Sequence, residues 1–305
     1  ATVGHEIILT LKTDELIQPP IITIAGQSAT ISDMGGGKWV ATYAMQNGDS
    51  DGVIPFEVEG ILDLSGNPNS GTAATTDGSM VIFDNTKPEL DIVRIASNNQ
   101  DSTWAKVGDM ISINFIANEL LISQSVNLNG QAMTISDLGS EKYLAQYEMT
   151  DLDTEGQLSF EILITDSVGL ESDPVITTSN SSLVIFDKTL PILNQVNIQS
   201  NNQNNSSIAI TADNVTLTFI PDEPLLADSI VVTIANEEVT INEDGSGYVA
   251  TLTLSGNEPG GILPFTIDFV DRASNRGVQV VNTLDNSYVN HDIVPPAILT
   301  ASMYS

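Results

Sequence analysis

The chain has 305 residues, no cysteine, and 40 Asp and Glu against nine Lys and Arg, giving a formal charge of −31. A field of that sign repels nucleic-acid phosphates and anionic lipid headgroups, so neither nucleic acid nor a membrane surface is an expected partner. Without cysteine, disulfides, thiolate metal ligation and a cysteine nucleophile are excluded, and no run of about twenty apolar residues offers a membrane-inserting segment.

The residues are 41% hydrophobic and 5% aromatic, and Val, Ile, Thr, Asn and Asp are frequent, a balance that favours strands and turns. In chain order, the first expected strand places Ile7, Leu9 and Leu11 on one face by period-two alternation. Trp39-Val-Ala-Thr-Tyr-Ala-Met45 follows, then Gly52-Val-Ile-Pro-Phe-Glu-Val58, an Asp-led turn at Asp63-Leu-Ser-Gly66, and a proline-closed joint at Phe83-Asp-Asn-Thr-Lys-Pro88. The same series then recurs. Ile111, Ile113 and Phe115 alternate with Ser112 and Asn114; Tyr143-Leu-Ala-Gln-Tyr-Glu-Met149, Gly156-Gln-Leu-Ser-Phe-Glu-Ile162, Asp166-Ser-Val-Gly169 and Phe186-Asp-Lys-Thr-Leu-Pro191 complete the second copy. The third copy comprises Val215, Leu217 and Phe219, then Tyr248-Val-Ala-Thr-Leu-Thr-Leu254, Gly261-Ile-Leu-Pro-Phe-Thr-Ile267, an Asp271–Gly277 turn and Asp292-Ile-Val-Pro-Pro296.

Self-similarity at this period means one folding unit copied head to tail, each copy long enough to bury its own core. Strands of six to ten residues punctuated by Gly, Asn, Asp and Pro predict antiparallel sandwiches, and proline in short connections predicts semi-rigid joints and an extended row. Expected boundaries are 1–86, 87–189 and 190–292, with 293–305 left over.

Phe186 and Asp187 with Pro191, Ser97-Asn-Asn99, Ala105-Lys-Val-Gly-Asp109, the alternating strand, and the Phe-x-Ile strands before Asp-led turns together resemble bacterial immunoglobulin-like tandem repeats of large secreted and cell-surface proteins. The resemblance covers nearly the whole chain and is weaker in the third copy, where Thr211-Ala-Asp213 replaces Lys-Val-Gly-Asp. It implies three tandem immunoglobulin-like β-sandwich domains in an extended rod, an extracellular or cell-surface location, and a structural or adhesive role.

Aligning the copies pairs Ala1-Thr-Val-Gly4 with Ala105-Lys-Val-Gly108, so the first copy is expected to lack its first strand. Residues 296–305 align with Pro88–Ser97, the first strand of a copy that does not continue. A sandwich lacking a strand presents an apolar groove and unpaired backbone groups. Head-to-tail donor-strand exchange is one expectation: residues 293–305, with Ile298, Leu299, Met303 and Tyr304 as the polymerisation strand, filling a recipient groove at Ile7, Leu9 and Leu11 of another copy to form a filament. A window cut from a longer array is the other.

Calcium, which takes six to eight oxygen ligands, is the one ligand the sequence supports. The candidates are Asp84, Asp187 and Asp292 in the joints and Asp63, Asp166 and Asp271 in the turns, because all recur in every copy; capping of their own turns is the competing role. Glu15, Glu119 and Glu223 also recur, each at the end of a strand; binding across a joint and facing water are the two roles open to them, and water is the expected one. Asp49-Ser-Asp51 and Asp151-Leu-Asp153 have no third counterpart. Trp39 is an expected core residue and Trp104 an expected loop residue with a sugar-stacking face. His5 and His291 stand near no recurring Ser or Asp pattern, and no nucleophile elbow or phosphate loop occurs, so no enzyme is expected. The function so indicated is an extracellular filament or stalk with copies of itself as partner; a surface adhesin for carbohydrate or protein is the alternative.

Overall fold

The computed structural model describes residues 1–304, and the fold is all-β and immunoglobulin-like, as the sequence predicts. Among the described residues the only helical segment is the 3-10 turn Ala227–Ser229. No helix of the described residues is long and apolar enough to cross a membrane. The chain divides into two compact units, Ala1–Val93 with Phe115–Leu144 and Phe160–Thr177, and Arg94–Asn114 with Ala145–Ser159 and Thr178–Ser305. The middle copy contributes residues to both.

In the first unit, strand Glu6–Lys12 pairs antiparallel with Lys38–Ala44, with Leu9 opposite Ala41, and Lys38–Ala44 also pairs with Thr30–Asp33. The facing sheet sets Ile21–Ile24 between Gln27–Ser28 and Phe56–Glu59, with Ile24 opposite Phe56. Alternation sends Ile22, Ile24, Ala41 and Val58 into one core with Met45 and the fully buried Phe83, which follows from the period-two geometry of strands. Leu121–Leu128 pairs with Phe160–Asp166 in the same way, and Leu128 stands opposite Phe160.

In the second unit, four strands run in the order Leu193–Ser200, Asn214–Pro221, Gly247–Thr253, Ile241–Asp244. Val231–Ile234 pairs with Phe265–Asp268, and Ile234 stands opposite Phe265, so the three recurring phenylalanines Phe56, Phe160 and Phe265 hold equivalent register positions. Ile208–Ala209 lies parallel to Asn290–His291, and Trp104–Ala105 lies parallel to Ile185–Phe186. Phe83, Phe186 and His291 thus occupy one recurring slot, all essentially without solvent exposure.

Trp39 is buried, as expected. Trp104 departs from the loop expectation: it lies half-buried on a short strand, held by its pairing with Ile185. The predicted alternation also differs in depth between copies. Val215, Leu217 and Phe219 are completely buried, whereas Ile7, Leu9 and Leu11 are only half-buried. The reason is topological: Asn214–Pro221 has a strand on each side, while Glu6–Lys12 ends its sheet with one strand partner among the described residues.

Candidate metal centres at the repeat joints

Each joint begins with an aspartate held by the same two bonds. The Asp84 amide donates to Ala1 O, Asp187 to Ala105 O and Asp292 to Ala209 O, each at 2.9 Å. The carboxylate oxygen Oδ1 of each then accepts an amide two residues on, from Thr86 at 3.1 Å, Thr189 at 3.0 Å and Val294 at 3.0 Å. This is the Asx turn that Asp forms readily because its short side chain reaches its own backbone. One carboxylate oxygen is engaged by the turn in each case.

The turn aspartates behave differently from one another. Asp63 is saturated: Oδ1 accepts the Ser65 and Asn67 amides, and Oδ2 accepts Asn67 Nδ2 at 2.6 Å. These bonds hold its carboxyl below the usual carboxylate range. Asp166 Oδ1 accepts the Val168 and Leu170 amides at 2.8 and 2.9 Å, yet its Oδ2 is buried without a hydrogen-bond partner. In Asp271, Oδ1 accepts the Asn275 amide and Oδ2 accepts Asn275 Nδ2 at 2.9 Å. Asp166 and Asp271 have no exposed surface.

Two groups of three carboxylates result. Asp84, Glu119 and Asp166 each bring one oxygen within 4.8 Å of the others, and Asp187, Glu223 and Asp271 do the same. Each group takes one aspartate from a joint and a glutamate and turn aspartate from the copy that follows. Four of the six aspartates singled out by recurrence are therefore drawn together in pairs. Asp63 and Asp292 belong to neither group among the described residues. The expectation that Glu119 and Glu223 face water fails, since both are half-buried and complete the two groups. Their recurrence at one strand end was the available signal.

Carboxylates this close repel one another, and desolvation adds to the cost of their charge. Burial first, then Asp84 and Asp166, raises the Glu119 carboxyl above the ordinary glutamate value. Burial, then Asp187 and Asp271, pushes Glu223 up to about 7, and burial followed by the nearby Asp271 and Glu155 charges raises Asp187. Both groups are all-oxygen donor sets of the kind that fits a hard divalent cation such as Ca2+, and the first also holds a buried carboxylate oxygen without a partner, Asp166 Oδ2.

The other acidic residues have structural partners. Asp49 accepts the Tyr43 hydroxyl and the Gln46 amide, Asp153 accepts the Tyr147 hydroxyl and the Thr150 amide, and Glu258 caps Ser255 and Gly256 in the third copy. The loop before the Phe56 strand thus carries an anionic turn cap in every copy.

At the other candidate site, Ile7, Ile8 and Leu9 line a cleft of about 430 Å³ with Ile54, Phe56, Met80 and Val81. Ile298, Leu299, Met303 and Tyr304 are almost fully exposed on a segment without regular structure; Ser305, the last residue of the expected polymerisation strand, lies outside the described residues.

No family model matches the sequence, and no curated protein matches it. Among solved structures, the chain is similar in fold to a structure from work on host cell surface retention of a 1.5-MDa bacterial ice-binding adhesin. That match has a TM-score of 0.54 and 15% identity over 95% of this chain and 92% of the other. A Ca2+-stabilized adhesin that helps an Antarctic bacterium bind ice matches 95% of this chain and 70% of its own length, at a TM-score of 0.42 and 14% identity. Fibronectin(III)-like modules of Clostridium thermocellum CbhA match 70% of this chain and their whole length, at 0.32 and 9%.

Proposed function

We propose that this chain is a structural repeat segment of a bacterial surface protein, a stalk or filament part of the adhesin type. Its copies, with boundaries at 1–86, 87–189 and 190–292, are braced at their joints by divalent cations. The observation that carries this reading is the double occurrence of one arrangement: a joint Asp, a strand-end Glu and a buried turn Asp, brought together as Asp84, Glu119, Asp166 and again as Asp187, Glu223, Asp271. A cation there ties the end of one copy to the start of the next and relieves the repulsion that raises Glu119 and Glu223. Ca2+ is the ion we assign, on the hardness of the donors and their flexible geometry.

The likeness in fold to a bacterial adhesin supports a surface setting. The half-buried strand Glu6–Lys12 and the exposed residues 293–304 support a second element of the reading: copies join head to tail, the C-terminal segment of one completing the first sandwich of another. The test of the joints is thermal unfolding of the full chain with excess Ca2+ and with chelator. Ligand at about a hundred times its dissociation constant stabilises by about 2.7 kcal/mol per site, a rise of about 10–20 °C for a domain of about 100 residues. Unfolding that is indifferent to Ca2+ and chelator removes the cation from the reading.

A further inference from the structure

The slot beside Glu6–Lys12 can be read through the third copy, where it is filled. There Leu193–Ser200 lies antiparallel to Asn214–Pro221, with Val196 opposite Phe219 and Ile198 opposite Leu217. A loop then clamps the inserted strand from its other side. Ser287 Oγ accepts the Ile198 amide at 2.9 Å, and the Leu284 amide donates to Val196 O at 3.1 Å. In the middle copy Ser182 Oγ accepts the Ile95 amide at 3.0 Å.

The first copy holds the same clamp already shaped. Thr75 Oγ donates to Ser79 O at 2.8 Å and the Ser79 amide to Asp77 Oδ1 at 3.0 Å. The matching bonds are Thr283 to Ser287 at 2.7 Å with Ser287 to Asp285 at 3.0 Å, and Thr178 to Ser182 at 2.9 Å with Ser182 to Asn180 at 3.2 Å. Ser79 is exposed where Ser182 and Ser287 are half-buried. The loop is therefore folded independently of the strand it serves to hold, with an apolar cleft beneath it lined by Ile7, Leu9, Ile54, Phe56, Met80 and Val81.

We propose that this clamp receives residues 298–304 of a second copy in one defined register, which rests on the head-to-tail reading above and adds the contacts that set it. Pro296 aligns with Pro191 and Pro88, so Ala301 takes the place of Val196 and Met303 that of Ile198. Transferred to the first copy, Ala301 lies opposite Leu11 and Met303 opposite Leu9. The Met303 amide donates to Ser79 Oγ, and the Thr76 amide donates to Ala301 O. Ser302 then stands opposite Thr10 on the solvent face, with Tyr304 opposite Ile8. Met303 is well suited to the slot because its unbranched side chain adapts to a cleft not shaped for it alone.

The chain has no cysteine, so an introduced pair reports on one contact only. The full chain carrying T10C and S302C, oxidised in solution, is expected to give a ladder of dimers and higher oligomers on a reducing-agent-free gel. T10C with T300C, two residues out of register, is expected to react at least about tenfold more slowly, because diagonal neighbours lie beyond disulfide reach. Adding S79A to the matched pair slows the ladder by about threefold to tenfold, the worth of one hydrogen bond. M303D abolishes it while leaving the far-ultraviolet spectrum unchanged, since Met303 is 97% exposed. Equal rates for the matched and shifted pairs, or a cross-linked monomer closed on its own tail, overturn the proposal. Assembly seen by light scattering without the matched cross-link overturns the register and spares the head-to-tail reading; no assembly and no cross-link overturns both.

Discussion

Asp166 and Glu119 each hold a carboxylate oxygen within 4.8 Å of the other and of Asp84, although Asp166 is completely buried and its Oδ2 accepts no hydrogen bond. Two negative groups so placed are costly unless a cation lies between them. Replacing Asp166 by Asn keeps an oxygen for the Val168 and Leu170 amides while removing the charge. D166N is therefore expected to lose about half of the calcium-induced rise in melting temperature, and D271N the other half. D63N is expected to leave the calcium response intact, because Asp63 belongs to neither group of three carboxylates among the described residues. Differential scanning calorimetry of the three variants with and without Ca2+ checks this; a calcium response lost in D63N and kept in D166N contradicts it.

The acidic groups also predict how stability follows pH without metal. Glu223 is raised to about 7 in the folded chain against an ordinary glutamate value near 4.3. Between those two values the folded state binds more protons than the unfolded one, so stability falls as pH rises. Glu119 and Asp187 are shifted upward too and act in the same direction. In chelator, the unfolding midpoint is expected to drop from pH 4.5 to pH 7; in saturating Ca2+ the same interval is expected to show a rise, because the cation binds the deprotonated carboxylates. Urea titrations across this range, with and without Ca2+, measure the divergence of the two curves as pH rises. Parallel curves would mean that these carboxylates hold no cation.

Strand positions and faces were legible because period-two alternation is local: Ile111, Ile113 and Phe115 are buried as their spacing predicts. The repeat marked the six joint and turn aspartates as equivalent sets without any knowledge of contacts, but that Asp84 meets Asp166 and Asp187 meets Asp271 is a matter of packing that recurrence does not carry. What recurrence could not separate was a turn cap from a ligand. Asp63, Asp166 and Asp271 sit in similar Asp-led turns, and the difference lies in what stands beside them: a joint Asp and a strand-end Glu meet Asp166 and Asp271, and Asp63 is in no such group among the described residues. Glu119 and Glu223 were misjudged for a related reason: burial of a charged strand end depends on which turn packs beside it, a long-range fact that no local pattern carries. Trp104 was read as loop because a two-residue parallel pairing has no periodicity to detect.

His291 takes the slot that Phe83 and Phe186 fill in the other copies, with Nδ1 at 3.3 Å from Pro259 O and a buried Nε2 without a partner. A buried polar atom left unsatisfied costs about 1–3 kcal/mol, and the equivalent cavities accept a phenylalanine with almost no exposure. H291F is expected to stabilise the third copy by about 1 kcal/mol, read as slower hydrogen exchange of the 265–268 and 289–292 amides. Faster exchange would indicate that the third copy has shaped this slot to the imidazole.

Leu9 and Leu217 offer the most direct measure of the difference between the first and third copies. They hold the same register position, each opposite an alanine of the neighbouring strand, Ala41 and Ala250. Leu217 has in addition Ile198 on its other side and is fully buried. Truncating a fully buried leucine costs about 2–5 kcal/mol through lost transfer energy and the cavity left behind. Leu9 faces an open cleft into which water already reaches, so its truncation forfeits less apolar contact and leaves no closed cavity. L217A is expected to cost about 3 kcal/mol and L9A less than about half of that, measured by hydrogen exchange of the flanking strand amides at a protein concentration low enough to prevent association. Raising the concentration should widen the penalty of L9A towards that of L217A, because a docked strand completes the wall around Leu9. Equal penalties at every concentration would show that the slot is closed within a single chain, and an L9A penalty that stays small when the chains associate would show that they join through another surface.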